Sequence, residues 1–423
     1  MARLTWGTKA GRVVLSSCGA LVALALIGGG SYWWGGPRER SEARQVIAGA
    51  CRGMLPAEEM RAVLGDGPFT SGPGRRIVPD AGRPEENDRG AAWQVACAVS
   101  RETEHHAGHP THDASVEVSV QRVPERKGNG TDADHERPRG YGALYPRVPT
   151  DLPPAALGGG WRGTLTTGEG TSGPGGGESA STAVLLDCAR GRGSLLVSVD
   201  VEVEDGNVDD PGQRTSSARI ATATAAKASR ELGCDAEVGK PLRTVALPVN
   251  ADEDVPLADA SGTCRGVPGR GERVTRAWES ARAEGPVEVC VLAGGRPGMP
   301  MDGPERTRSY HLVAYYGPYA EQERLDHLER YGRYSDDPGP GDAPAGRLPG
   351  GGHWASAGCR DGGGPALFTV RPDDVPDRGA YGADGKPVGA RESTADLAYQ
   401  RAALKEFAQR SARAHGCGAP RLP

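Results

Sequence analysis

The chain has 423 residues, of which only 37% are hydrophobic, and it contains 64 Gly and 34 Pro. Its length allows two or three domains, and this composition predicts small cores joined by long loops. The net charge of −5 argues against a broad basic surface of the kind that binds phosphates, so we expect no nucleic-acid partner.

The first predicted element is a membrane span. Residues 13–34 carry no charge and are long enough to cross about 30 Å of hydrocarbon. Their outer end, 32–34, is an aromatic cluster typical of the membrane interface. Three basic residues and no acidic one precede the run: Arg3, Lys9 and Arg12. By the positive-inside rule we expect residues 1–12 in the cytoplasm, a transmembrane helix at 13–34 and an extracellular stalk at 35–45.

Two other interpretations of this segment remain open. A cleaved signal peptide would need a small-residue site after the apolar core, and residues 28–31 supply small side chains. A lipoprotein would use Cys18, which follows Leu15-Ser16-Ser17, but such a motif should come after the apolar core and here it precedes it. We favour the anchor because the aromatic cluster fits a retained span.

Downstream elements follow from apolar periodicity and from end signals. Pro56 suits a first helical position, Gly65 suits a helix stop, and Val116, Val118 and Val120 alternate with polar residues. The predicted elements of the first half are a helix at 55–65, strands at 91–99 and 116–120, a hairpin of 182–188 with 194–204, and a helix at 215–232. Residues 69–89 are predicted as loop.

The second half follows a similar order with a weaker opening. The predicted elements are a helix at 272–282 in place of the first one, strands at 286–292, 310–316 and 365–370, and a helix at 393–415. Residues 365–370 repeat only part of the hairpin of the first half, and each half is predicted as a helix, four strands and a helix. This is an α+β layer in which an antiparallel sheet carries its helices on one face.

Nine cysteines divide into Cys18, within the apolar run, and eight others. The eight fall in two sets of four: Cys51, Cys97, Cys188 and Cys234, then Cys264, Cys290, Cys359 and Cys417. An even number without a Cys-x-x-Cys pair predicts disulfides in an oxidising compartment. Three pairings per set are possible. We favour Cys51–Cys97, Cys188–Cys234, Cys264–Cys290 and Cys359–Cys417, because the last cysteine of each set ends a helix that should cover the strand pair begun by the third.

Two stretches repeat: Leu152–Trp161 reads LPPAALGGGW and Ala343–Trp354 reads APAGRLPGGGHW. Each is followed by a cysteine, an apolar run and an alanine-rich helix that closes on Gly-Cys. We therefore predict a first module at 46–239 and a diverged second copy at 260–423, joined by a linker at 240–259. We expect the tryptophan of each stretch, Trp161 and Trp354, to anchor a core, with ligand contact as the alternative.

One loop carries candidate metal ligands. Four of the nine histidines lie in it: His105, His106, His109 and His112. Imidazoles on a flexible loop can close around Zn, Cu or Ni, and the alternative is a solvated insertion between two strands. No other cofactor is expected. The acidic pairs Asp336-Asp337 and Asp373-Asp374 lie among Pro and Gly and are predicted to be turns.

Hydrolase motifs are missing from the sequence, which has neither a Gly-x-Ser-x-Gly elbow nor a His-Glu-x-x-His pair. Cys51, the downstream run LPAEEMRAVLG, the strand cysteine Cys97 and the alanine-rich helix ending at Gly233-Cys234 together resemble actinobacterial secreted or lipid-anchored proteins of unknown function. These are similar to the extracellular sensor domains of some mycobacterial membrane kinases. The resemblance implies a small α+β binding or sensing domain with paired disulfides, and it implies no catalytic residue.

The sequence therefore favours a non-enzymatic protein of the bacterial cell envelope, anchored by residues 13–34 and presenting two disulfide-bonded modules to an unknown ligand or envelope partner. The alternatives are an extracellular enzyme of an unrecognised type and a metal-binding surface protein that uses the histidine loop.

Overall fold

A computed structural model describes residues 41–74, 93–102, 112–123, 148–169, 178–189, 193–203, 207, 210–281, 284–295, 310–331, 343–348, 351–359, 364–372 and 392–423. The predicted span at 13–34 lies outside these residues. Among the helices that the structure does describe, none has the length and apolar character needed to cross a membrane.

The first module forms a seven-stranded antiparallel sheet in the spatial order β1-β2-β3-β7-β6-β5-β4. Its strands are β1 (Phe69–Pro73), β2 (Trp93–Glu102), β3 (His112–Val123), β4 (Ala155–Gly158), β5 (Trp161–Glu169), β6 (Glu178–Asp187) and β7 (Ser194–Val203). The alternating valines of β3 and β7 face the same side, since Val118 lies opposite Val199. That side is the helix-covered core.

Helices cover one face of this sheet, as predicted. They are α1 (residues 41–49), α2 (Ala57–Leu64) and α3 (Pro211–Glu231), with a 3-10 turn at Ala50–Gly53. Residues 41–45, the end of the predicted stalk, are helical, and Ala43 among them is buried in the first core. Pro56 is the N-cap of α2 rather than its first helical residue.

The second module forms another seven-stranded antiparallel sheet, in the order β12-β13-β14-β11-β10-β9-β8. Its strands are β8 (Val255–Pro256), β9 (Arg276–Glu279), β10 (Val287–Ala293), β11 (Tyr310–Tyr316), β12 (Ala345–Arg347), β13 (His353–Gly358) and β14 (Pro365–Pro372). The chain is thus α+β with two antiparallel sheets. The prediction of four strands per module was too low. It lacked short edge strands, which carry little periodicity, and also the longer inner strands β5 and β13.

Helices lie on both faces of the second sheet, which corrects the one-face prediction for this module. α5 (Thr394–Ala414) packs on the face that carries Leu312 and Phe368. α4 (Pro318–Tyr331) packs on the opposite face, where its residue Ala320 meets Leu367. The second module therefore has three layers where α4 covers the sheet.

The remaining outer surfaces of the two sheets pack against each other. Leu185 and Leu196 of the first sheet share a buried cluster with Val289 and Val313 of the second. A Cβ added at Gly285 would lie 2.8 Å from Cγ2 of Thr164, which shows how closely the two modules approach. The described residues therefore form a sandwich in which each sheet shields part of the other.

The predicted linker 240–259 is bound along its length. Lys240 accepts a hydrogen bond from the Trp161 indole at 2.7 Å, and Val249 donates to the carbonyl of Pro153 at 3.4 Å. Leu242 is buried in the first core. The segment then enters the second module through β8.

Two element predictions were wrong. The predicted helix 272–282 contains strand β9, because Ala277 and Trp278 point to opposite buried faces of the sheet. The predicted loop 69–89 begins with strand β1 at its described end, 69–74. By contrast, the strand at 310–316 and the helix near 393–415 have the predicted positions.

Candidate functional site

Four disulfide bonds join the cysteines in the predicted pairs: Cys51–Cys97, Cys188–Cys234, Cys264–Cys290 and Cys359–Cys417. The bonds occupy matching places in the two sheets. Cys97 lies opposite Val118 on the neighbouring strand, and Cys290 lies opposite Leu312 in the same way. Each module therefore ties its first cysteine to an inner strand of the sheet and its third cysteine to the end of its last helix.

The last helices end alike. Gly233 and Gly416 both have φ of 66°, which glycine adopts without strain. Cys234 then donates to the carbonyl of Ser229 at 2.8 Å, and Cys417 donates to that of Ala412 at 2.8 Å. This is the Schellman end of a helix, and it aims each cysteine at the hairpin beneath it. The repeated Gly-Cys pair is thus a helix C-terminal motif that positions a cysteine for its disulfide bond.

The two last helices also share a basic residue, which lies seven positions before the cysteine at the helix end. Lys227 donates to the carbonyl of Gly53, and Arg410 donates to the carbonyls of Gly262 and Thr263. In both modules this joins the last helix to the backbone beside the first cysteine. The equivalence lets positions in the two modules be compared one by one.

The two modules differ in a set of buried polar side chains beneath the end of α5 in the second module. We call this set the Glu288 network: Glu288, Tyr316, Ser411 and His415. Glu288 is 2% exposed and sits on the helix-facing side of β10. One carboxylate oxygen, Oε2, accepts from Ser411 Oγ at 2.6 Å, and Oε1 lies 2.6 Å from His415 Nε2. The carboxylate on β10 is therefore bound to the end of α5 through two side chains.

Tyr316 completes the chain of hydrogen bonds. Because Ser411 donates its only hydroxyl proton to Glu288, the bond between Tyr316 and Ser411 must be donated by Tyr316. Burial, and secondly the charge of Glu288, raise the pKa of Tyr316 well above its ordinary value, so this hydroxyl keeps its proton. The Tyr316 ring also stacks on His415, with centroids 3.7 Å apart.

Three of the four matching positions in the first module are apolar, and the fourth, which corresponds to Tyr316, holds Arg122. Val95 precedes Cys97 as Glu288 precedes Cys290, and Ala228 and Leu232 precede Cys234 as Ser411 and His415 precede Cys417. All three belong to the first core or pack against it. A buried ion pair can often be replaced by apolar groups without loss of stability. The fold therefore does not require the Glu288 network, and the network is the candidate functional site.

The geometry of the network does not fit nucleophilic catalysis. In a Ser-His-Asp triad the imidazole lies between the hydroxyl and the carboxylate, whereas here Glu288 lies between Ser411 and His415. Ser411 is 0% exposed, so its hydroxyl is shielded from solvent and from any substrate. What the network does is join β10, β11 and the end of α5 by hydrogen bonds inside the module.

A second charged cluster lies at the other end of α5. Asp396 forms a capping box with Ser393 and receives a bond from Arg270, whose guanidinium also donates to Tyr310. Burial raises the pKa of Asp396, but the hydrogen bonds from Ser393 and Arg270 outweigh it and hold that pKa below its ordinary range. This cluster fixes the start of the helix.

The predicted metal ligands are placed only in part. His105, His106 and His109 lie outside the described residues, and His112 is the first residue of β3. Within the part of the chain that is described, no three His, Cys, Asp or Glu side chains are grouped as metal ligands would be. The pairs Asp336-Asp337 and Asp373-Asp374 also lie outside it.

The two repeated tryptophans are both buried, at 4% for Trp161 and 1% for Trp354. Trp161 faces the helix-covered core, whereas Trp354 faces α4 on the opposite side of its sheet. The repeated letters therefore do not place the two indoles at equivalent positions.

Sequence reasoning missed the Glu288 network, although one signal was present. Glu288 and Cys290 are two residues apart on a strand, so they share a face. A disulfide-bonded Cys290 faces the core, and Glu288 must therefore face it too. The partners His415 and Ser411 could not be found this way, since they are more than 120 residues away along the chain.

Comparisons with protein-family models, with curated proteins and with solved structures found no match to this chain. Its function is therefore inferred from its own residues and geometry.

Proposed function

We propose that the chain is a non-enzymatic binding or sensing protein of a bacterial cell envelope, displayed outside the cell and anchored through residues 13–34. The observation that carries this proposal is the set of four disulfide bonds, one at each matching place in the two sheets. Such bonds persist in oxidising, extracellular surroundings and are rare in reducing cytoplasm.

The side chains that could take part in catalysis point into the protein and are bound to their own partners. This favours a binding role over an enzymatic one. Glu288 and Ser411 are buried among their own partners, and Asp396 is held by Arg270 and by its capping box. The resemblance of the opening motif to secreted actinobacterial proteins supports the same proposal. The ligand or partner is an unidentified component of the envelope.

The compartment is tested by thiol labelling of the full chain in its native cells. A membrane-impermeant maleimide is applied to intact cells before and after treatment with an impermeant reductant. We expect labelling of the eight outer cysteines only after reduction, and recovery of the labelled chain in the membrane fraction. Labelling that requires cell lysis would overturn the proposal, and release of a form lacking residues 1–31 would show cleavage instead of anchoring.

The binding role is tested by photo-cross-linking in intact cells. A photoreactive residue is placed at Val238 or Leu247, which are 48% and 40% exposed, and the matched control places it at Leu242, which is buried in the first core. We expect a discrete covalent adduct with an envelope component from an exposed position only. Turnover of an envelope-derived substrate by the purified chain would instead favour the enzyme alternative.

A further inference from the structure

One of the four disulfide bonds differs from the others in its exposure. Cys359 and Cys417 pack against the second core but remain partly exposed. The other six paired cysteines are buried, each at 8% exposure or less: Cys51, Cys97, Cys188, Cys234, Cys264 and Cys290. Thiol–disulfide exchange requires a thiolate to reach a sulfur atom. The bond between Cys359 and Cys417 is therefore the one that a reductant can reach in the folded chain.

The surface beside this bond is open. Gly358 precedes Cys359, and Cys417 lies between Gly416 and Gly418. All three glycines are exposed. A Cβ added at Gly358 or at Gly416 would meet no heavy atom of the described residues within 4 Å. A thiol that approaches the two sulfur atoms therefore meets no side chain at these positions.

The equivalent bond in the first module is covered. Cys188 and Cys234 are 8% and 3% exposed. Beyond Cys234 the chain continues over the first core, in which Leu242 is buried. Beyond Cys417, by contrast, residues 418–423 are almost all exposed. The two modules therefore place this bond alike but shield it in only one of them.

We propose that Cys359–Cys417 is a site of thiol–disulfide exchange, which a dithiol reductant opens while the other three bonds stay closed. A thiolate of the reductant attacks Sγ of Cys417, the S–S bond breaks, and Cys359 leaves as a thiolate that takes up a proton. The second thiol of the reductant then attacks the mixed disulfide and releases Cys417. Two electrons and two protons pass to the chain, and the reductant becomes a disulfide. This inference concerns the folded chain and does not depend on the proposed binding role.

The end of α5 determines which sulfur is attacked. The C-terminal end of a helix carries a partial negative charge, and Sγ of Cys417 lies 3.7 Å from the carbonyl oxygen of His415. A thiolate at Cys417 is disfavoured in these surroundings, so Cys359 is the better leaving group. The mixed disulfide therefore forms on Cys417.

Opening the bond releases a short strap, residues 418–423. Gly418 donates to the carbonyl of Gly358 and Arg421 donates to that of Ser356, each at 2.9 Å. These contacts place the strap beside the end of β13, because β12 pairs only with the first three residues of that strand. Two isolated backbone bonds contribute little by themselves, so we expect the strap to detach after reduction. Faster hydrogen exchange of the Arg421 amide measures this release, and unchanged protection would contradict it.

The test is stepwise reduction of the purified full chain by dithiothreitol at neutral pH without denaturant. Free thiols are alkylated at intervals and located by peptide mapping. We expect Cys359 and Cys417 to be alkylated first, at least roughly tenfold faster than the matched pair Cys188 and Cys234. Equal rates, earlier opening of Cys188–Cys234, or no opening of Cys359–Cys417 would overturn the proposal.

Two double variants and a trapping reagent identify the site. Cys359→Ser with Cys417→Ser should abolish the fast alkylation, whereas Cys188→Ser with Cys234→Ser should keep it. A thioredoxin-like dithiol protein whose second cysteine is replaced by serine should be trapped on Cys417, and trapping on Cys359 would show that the assigned direction of attack is wrong. Should either double variant not fold, the order of opening in the wild type still decides the proposal.

Discussion

The two modules place their disulfides and last helices alike but fill the space beneath those helices differently. Under α3 lie Val95, Ala228 and Leu232, which continue the apolar core. Under α5 the matching space holds Glu288, Ser411 and His415 joined by hydrogen bonds. The disulfides and the helix ends that position them are the same in both modules. The side chains beneath the last helix differ, so the disulfide-bonded fold accepts either an apolar or a polar filling there.

The difference teaches which features maintain the fold. A feature present in both modules, such as the Gly-Cys helix end or the basic residue that reaches a carbonyl beside the first cysteine, is accounted for by stability. A buried carboxylate present in only one of them is not, because the other module folds around apolar side chains at the same place. The following experiments test this comparison.

The largest effect is expected from removing the helix disulfides. Cys188→Ala with Cys234→Ala opens a separation of 46 residues, and Cys359→Ala with Cys417→Ala opens one of 58. We expect each double variant to lose about 4 kcal/mol of the free energy of unfolding, since the loop-closure entropy is similar. Urea denaturation followed by tryptophan fluorescence measures this. Losses that differ by more than about 2 kcal/mol would show that the modules do not use their disulfides alike.

A smaller effect is expected at the contact between the sheets. Leu196 and Leu195 are neighbours on β7, but Leu196 faces the second module and Leu195 faces the first core. Leu196→Ala and Leu195→Ala should each cost about 3 kcal/mol. Only Leu196→Ala should split unfolding into two transitions, because it weakens the coupling between modules. Calorimetry of both variants decides this, and a single transition in Leu196→Ala would contradict it.

The smallest effect is expected at the helix starts. Asp396→Asn should cost about 2 kcal/mol at neutral pH, because charge-assisted bonds from Arg270 and Ser393 are lost. The native pKa of Asp396 is lowered, so its contribution is present above the unfolded value of about 4 and is lost as the pH falls further. Wild type and variant should therefore converge in acid.

The matched control for Asp396 is the N-cap of α3. Asp210 accepts from the backbone of Gln213 at 2.8 Å at an exposed position, and asparagine caps a helix about as well as aspartate. Asp210→Asn should therefore change the free energy of unfolding by only a few tenths of a kcal/mol. A pH-independent gap between wild type and Asp396→Asn in denaturation curves would show that Asp396 acts through geometry alone.

Many of the strands and helices could be predicted because they depend on short-range patterns in the sequence. The alternating valines of β3, the helix over 393–415 and the Gly-Cys endings depend on neighbours within a few residues. The disulfide pairs were favoured among the alternatives because of where those endings should point, and the structure confirms them. The edge strands β4, β8 and β12 were missed because two to four residues show no period, and α4 was missed because its apolar face is short.

What the sequence alone determined is the local plan: two sets of four cysteines, a favoured pairing among the three possible for each set, and most of the strands around them. Only the tertiary structure decided which sheet faces cover each other, that α4 lies opposite α5, and that Glu288 meets His415. These outcomes depend on strand order and on packing between distant segments. Period-two alternation specifies that a side chain is buried but does not specify what it is buried against.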